Sequence, residues 1–96
     1  MTEYPKKDFT TGRSIVLLYG GYQNNCNITL NMLYDIEKRH SNINFIKVNT
    51  SKFYKIKEKY QIHILPTILY FRDGNLIDKL KGPFNYHQIE QMIQRS

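Results

Sequence analysis

The chain has 96 residues, 41% hydrophobic and 23% charged, with three prolines and one cysteine. That length supports one hydrophobic core and excludes two, and the composition excludes a disordered or collagen-like chain. The formal net charge of +6 invites a nucleic-acid or acidic-membrane partner, but the lysines are dispersed apart from Lys52, Lys55, Lys57 and Lys59, a group that a solvated helix face explains.

The first 13 residues are too few for a further strand and helix. They are expected to form an irregular arm over 1–13, at most a short edge strand, with the folded domain running over 14–96. They hold no apolar signal core, and no apolar run in the chain approaches membrane-spanning length. One cysteine cannot close an internal disulfide and suits a reducing compartment. A cytoplasmic protein with no membrane partner is the expectation, and the dispersed lysines weigh against a nucleic-acid partner.

"SIVLLYG", residues 14–20, places apolar residues on consecutive positions and ends in Gly20-Gly21. A strand covered on both faces reads this way. Over 24–40, Leu30, Leu33, Tyr34 and Ile36 recur at helical spacing, and "SNIN" ends the helix. "NFIKVN", 44–49, sets Phe45 and Lys47 on one face and Ile46 and Val48 on the other, a second strand. Strand, helix and strand make a parallel pair with a crossover. Thr50 or Ser51 is placed to cap a short helix whose Phe53, Ile56 and Tyr60 share a face.

Two β-rich runs, 67–72 and 75–80, flank Asp73-Gly74, a favoured tight-turn pair because glycine accepts positive φ. They predict an antiparallel hairpin. After Gly82-Pro83, Asn85 and Gln88 stand at capping-box spacing and Phe84 and Ile89 at hydrophobic-staple spacing, so a helix closes the chain. The order predicts an α/β fold, β-α-β-(α)-β-β-α, with a central mixed sheet flanked by helices.

The sole cysteine lies in "YGGYQNNCN", between the first strand and the first helix. Disulfide exchange needs a thiolate that attacks and a second thiol that resolves the mixed disulfide. Cys26, His40, His63 and His87 show no metal-ligand spacing, and no phosphate loop, nucleophile elbow or carboxylate pair is present. No metal and no cofactor are implied.

The element order, with "YQIHILPTILYFRDGN", resembles the thioredoxin family's "YGIxxIPTLxxFxxG" block. Tyr60, Ile62, Pro66-Thr67, Phe71 and Gly74 fall at the expected intervals, Gly82 on the glycine after the last strand, and Lys47 on the lysine of the strand beside the active site. The resemblance implies a thioredoxin-like fold with Pro66 cis and Leu65 turned toward the active-site loop. It also implies that the family's W-C-G-P-C falls on Tyr22-Gln23-Asn24-Asn25-Cys26. Tyr22 then replaces the tryptophan and Gln23 the nucleophilic cysteine, while Cys26 matches the resolving one. Leu17 takes the place of the buried aspartate, and Asn31 that of the helix-kinking proline.

Gln23 offers only hydrogen bonds in place of a nucleophile. The expected function is a protein- or polypeptide-binding module, degenerate in its dithiol site, with Tyr22, Gln23, Leu65 and Pro66 contacting an extended partner. The alternative is a monothiol oxidoreductase or thiol redox sensor with Cys26 as its catalytic residue. There Lys47 would favour the thiolate if its ammonium reached the thiol, and His63 would approach the same rim.

Overall fold

The computed structural model describes residues 1–20 and 25–95, the side chains of 25–27 excepted. Its centre is β2 (Arg13–Tyr19), which pairs in parallel with β3 (Ile43–Asn49) on one side. On the other side it pairs antiparallel with β4 (Thr67–Arg72), and β4 pairs antiparallel with β5 (Asn75–Lys81). A two-residue edge strand, β1 (Thr2–Glu3), runs parallel to β3, so the sheet order is β1-β3-β2-β4-β5. Three helices accompany it: α1 (Asn25–Glu37), α2 (Lys55–Lys59) and α3 (Tyr86–Gln94). None of the helices described is long and apolar enough to cross a membrane.

The unbroken apolar run of β2 has a physical cause. Ile15 and Leu17 pack against Leu33 and Ile36 of α1 and Ile89, Met92 and Ile93 of α3. Val16 and Leu18 face the other way, toward Phe53, Ile56 and Tyr60 around α2 and Tyr4 and Phe9 of the arm. Both sheet faces are therefore covered, and each fully buried aliphatic side chain contributes about 1.5–3 kcal/mol of transfer free energy. The alternation in β3 follows from the same layers, with Phe45 on the α1–α3 side and Ile46 and Val48 on the α2 side.

At the hairpin, Asp73 (φ 49°) and Gly74 (φ 84°) both take the positive φ that a two-residue turn demands. The Asp73 carboxylate accepts from the Gly12 N–H at 2.8 Å, while the Gly12 carbonyl accepts from the Asp73 N–H at 2.9 Å. The arm is thus tied to the hairpin tip. Asn85 and Gln88 complete the capping box at the start of α3, each side chain accepting from the other's backbone N–H at 2.9 Å.

Two expectations are corrected. Thr50 and Ser51 do not cap α2, whose N-cap is Tyr54 with no side-chain cap bond. The Thr50 hydroxyl donates instead to the Tyr19 carbonyl at 2.9 Å, and the Asn49 side chain accepts from the Ser51 N–H at 2.9 Å, a local turn that delays the helix. Tyr34 does not join the buried stripe of α1; it is 37% exposed and reaches toward the Lys47 ammonium.

Candidate functional site

Three chain segments meet beside the first turns of α1. Ile28, Thr29 and Met32 come from α1, Leu65 and Pro66 from the turn ahead of β4, and Gly82, Pro83 and Phe84 from the turn after β5. Together they wall a groove of about 330 Å³. Ile28 stands 67% exposed at its mouth. Among these walls Thr29 alone carries a polar side-chain group, and it is only 7% exposed. Among the described residues the walls are thus almost wholly apolar and offer no acid or base group for proton transfer.

The Pro66 turn is fixed from three directions. The Leu65–Pro66 peptide bond is cis. The Thr67 hydroxyl, with its residue 1% exposed, donates to the Ile64 carbonyl across the turn. The Gly82 N–H donates to the Pro66 carbonyl at 2.9 Å, and a Cβ at Gly82 would stand 2.9 Å from that same oxygen. Real Cβ atoms do not approach so closely, so only glycine lets the two turns meet here. Among the described residues, the main-chain N–H and C=O of half-buried Leu65 take no hydrogen bond.

Of the residues singled out from sequence, Leu65 and Pro66 line the groove. Tyr22 and Gln23 lie outside the described residues, as does the side chain of Cys26. The Cys26 backbone belongs to the first turn of α1, two residues ahead of Ile28. Leu17 is wholly buried among aliphatic neighbours. The Lys47 ammonium points to the Tyr34 hydroxyl at 3.5 Å. Tyr34 is eight residues beyond Cys26 on α1, roughly 12 Å along the axis.

His63 is exposed and borders a depression at α2 with Tyr54 and Lys57, away from the groove. His40 joins α1 to α3 through Glu90, Nε2 to carboxylate 2.9 Å. Ile28, Met32 and Phe84 were not singled out from sequence. Ile28 falls on the polar side of α1, opposite Leu33, and an isoleucine there was the available signal.

The family model "Thioredoxin" matches residues 7–95. Thioredoxin Y2, chloroplastic, of Arabidopsis thaliana is 29% identical over 83 residues, 85% of this chain and 50% of its own length. Glutaredoxin 3 of Danio rerio is 26% identical over 76 residues, 79% of this chain and 23% of its own. The chain thus spans half or less of these two relatives. Among solved structures, mitochondrial thioredoxin 3 of Saccharomyces cerevisiae in its oxidized form superposes with a TM-score of 0.84 at 18% identity, covering 100% of this chain and 92% of that one. Fasciola hepatica thioredoxin gives a TM-score of 0.81 at 20% identity, covering 90% and 82%. The five-stranded mixed sheet with three helices is the thioredoxin fold, and the chain belongs to the thioredoxin family.

Proposed function

We propose that the chain is a cytoplasmic binding module that holds an extended polypeptide in the Pro66 groove and does not carry out dithiol–disulfide exchange. The observation that carries this reading is the single cysteine in a thioredoxin-family chain. With Gln23 at the position of the attacking thiol, the site is degenerate, and the two-thiol cycle cannot close within one molecule. The apolar groove and the free main-chain groups of Leu65 support binding: a partner strand pairs with Leu65 while alternate side chains enter the groove. The family resemblance assigns Tyr22 and Gln23 to the same contact surface.

The test is insulin reduction, driven by dithiothreitol or by NADPH with a thioredoxin reductase. Turnover at the background rate is expected. Sustained turnover by the wild-type chain would reject the binding-module reading.

A second reading has its own support. Cys26 lies in the first turn of α1, where unpaired N–H groups favour a thiolate, and Glutaredoxin 3 is among the relatives. The Cys26 thiolate then attacks a glutathione or partner disulfide, forming a mixed disulfide and expelling the other sulfur as a thiolate, with no resolving thiol of its own. Alkylation across a pH range separates the two. Rapid labelling of the native chain at neutral pH, lost in Cys26→Ser, favours the monothiol; labelling only after denaturation favours the binding module.

A further inference from the structure

The sheet face opposite α1 and α3 carries a surface that the Pro66 groove does not use. Two segments packed on that face, 3–9 and 52–60, hold six lysines, Lys6, Lys7, Lys52, Lys55, Lys57 and Lys59, and three carboxylates, Glu3, Asp8 and Glu58. Asp8 is held by the Thr10 hydroxyl and Glu3 by the Tyr19 hydroxyl. None of the six lysines joins an ion pair among the described residues. Elsewhere the carboxylates are engaged, Glu90 with His40, Asp78 with Arg95 and Asp35 with the Tyr86 hydroxyl. The six ammonium groups outnumber the three carboxylates of these segments, which leaves an excess of positive charge.

Four of the lysines border a trough made of three clefts that share lining residues. A cleft of about 180 Å³ between the arm and β3 has Lys6 and Lys52 on its rim and Tyr4 and Phe53 in its floor. A second, of about 300 Å³, shares Lys52, Tyr4 and Phe53 with it and extends to Lys55, Tyr54 and Ile56. Tyr54 in turn borders the depression that holds Lys57 and His63. Charge thus lines an apolar floor, and Tyr54 stands 58% exposed in the middle.

We propose that this trough docks an acidic protein segment carrying apolar side chains, its carboxylates on the lysines and its apolar groups in the two clefts. A single-stranded nucleic acid fits less well. Stacking of successive bases needs a row of free aromatic faces, yet Tyr4 is already packed edge-on against Phe53 at 5.0 Å and tilted against Phe9 at 6.0 Å, and Tyr54 offers a single exposed ring. The rim also holds no arginine, the side chain suited to bidentate phosphate contacts. Clefts of this size receive single side chains, and compact ammonium groups suit carboxylates.

Fluorescence anisotropy of the whole chain tests the proposal. The probe is a fluorescein-labelled peptide alternating glutamate with leucine and phenylalanine; glutamine-for-glutamate peptide and labelled oligothymidylate are the comparators. The acidic peptide should bind more tightly than either comparator. Combining Lys6→Gln, Lys52→Gln, Lys55→Gln and Lys57→Gln should weaken it by about tenfold, the order that four exposed charge contacts supply together. Tyr54→Ala should weaken it as well, and Leu65→Ala, in the other groove, should leave it unchanged. Tighter binding of oligothymidylate, equal binding by the four-lysine variant, or loss with Leu65→Ala would each overturn the proposal. Circular dichroism confirms that the variants remain folded.

Discussion

Gly82→Ala is the perturbation that most directly couples the fold to the groove. The added Cβ would stand 2.9 Å from the Pro66 carbonyl oxygen and 3.2 Å and 3.3 Å from the Pro66 ring carbons Cγ and Cδ. Those partners are backbone and a rigid ring, so the two turns must separate. Overpacking of this kind costs about 1–3 kcal/mol, and loosening the Gly82–Pro66 hydrogen bond adds about 1 kcal/mol. Alanine restricts the unfolded chain and returns about 0.4–1 kcal/mol. The net loss is then about 1–3.5 kcal/mol, which in a domain of this size lowers the melting temperature by roughly 4–28 °C.

Urea unfolding followed by circular dichroism measures the loss, with Gly12→Ala as the contrast. Gly12 has φ 69° and its nearest neighbour to a Cβ is the Asn44 amide at 3.8 Å, so only the left-handed backbone cost of about 1 kcal/mol applies there. Gly82→Ala should be the more damaging of the two. A Gly82→Ala chain within about 0.5 kcal/mol of wild type would refute the claim that close contact between these turns shapes the groove.

Other consequences follow from single contacts. Ser14 is fully buried and its hydroxyl has no hydrogen-bond partner among the described residues, so Ser14→Ala should raise stability by about 1 kcal/mol in urea unfolding. Asn85→Ala removes the capping box of α3 and should cost about 1 kcal/mol by the same measurement. The Thr10 hydroxyl, followed by the Thr10 N–H, holds the Asp8 carboxyl below its ordinary value. Its folded-state pKa is depressed, so this contact stabilises the fold above the ordinary carboxylate range and is lost as pH falls through the folded value. Thr10→Val should move the Asp8 titration upward in NMR, and an unmoved titration would reject the hydroxyl as the main cause.

Much of the architecture was legible because it rests on local chemistry. Asp73-Gly74 declares its turn through backbone preference, Asn85 and Gln88 declare a helix start, and the unbroken apolar run of β2 declares burial on both faces. What sequence reasoning missed depends on partners distant in the chain. Thr50 was a reasonable cap until the Tyr19 carbonyl claimed its hydroxyl. Tyr34 kept helical spacing with the core residues, yet it faces Lys47 at the surface. The arm gains its place through Asp73, sixty-one residues from Gly12. At the candidate site, Leu65 and Pro66 were visible through the family resemblance, whereas the walls contributed by Ile28, Met32 and Phe84 emerge only when α1 and the two turns pack together.

The most direct test of the central claim is insulin reduction by the wild-type chain beside Gln23→Cys, which restores a cysteine pair to the Cys26 loop. If the groove is a thioredoxin-type polypeptide site disabled chiefly by the loss of its nucleophile, the wild type stays at background and Gln23→Cys gains turnover. Turnover by the wild type equal to that of the variant would contradict the claim.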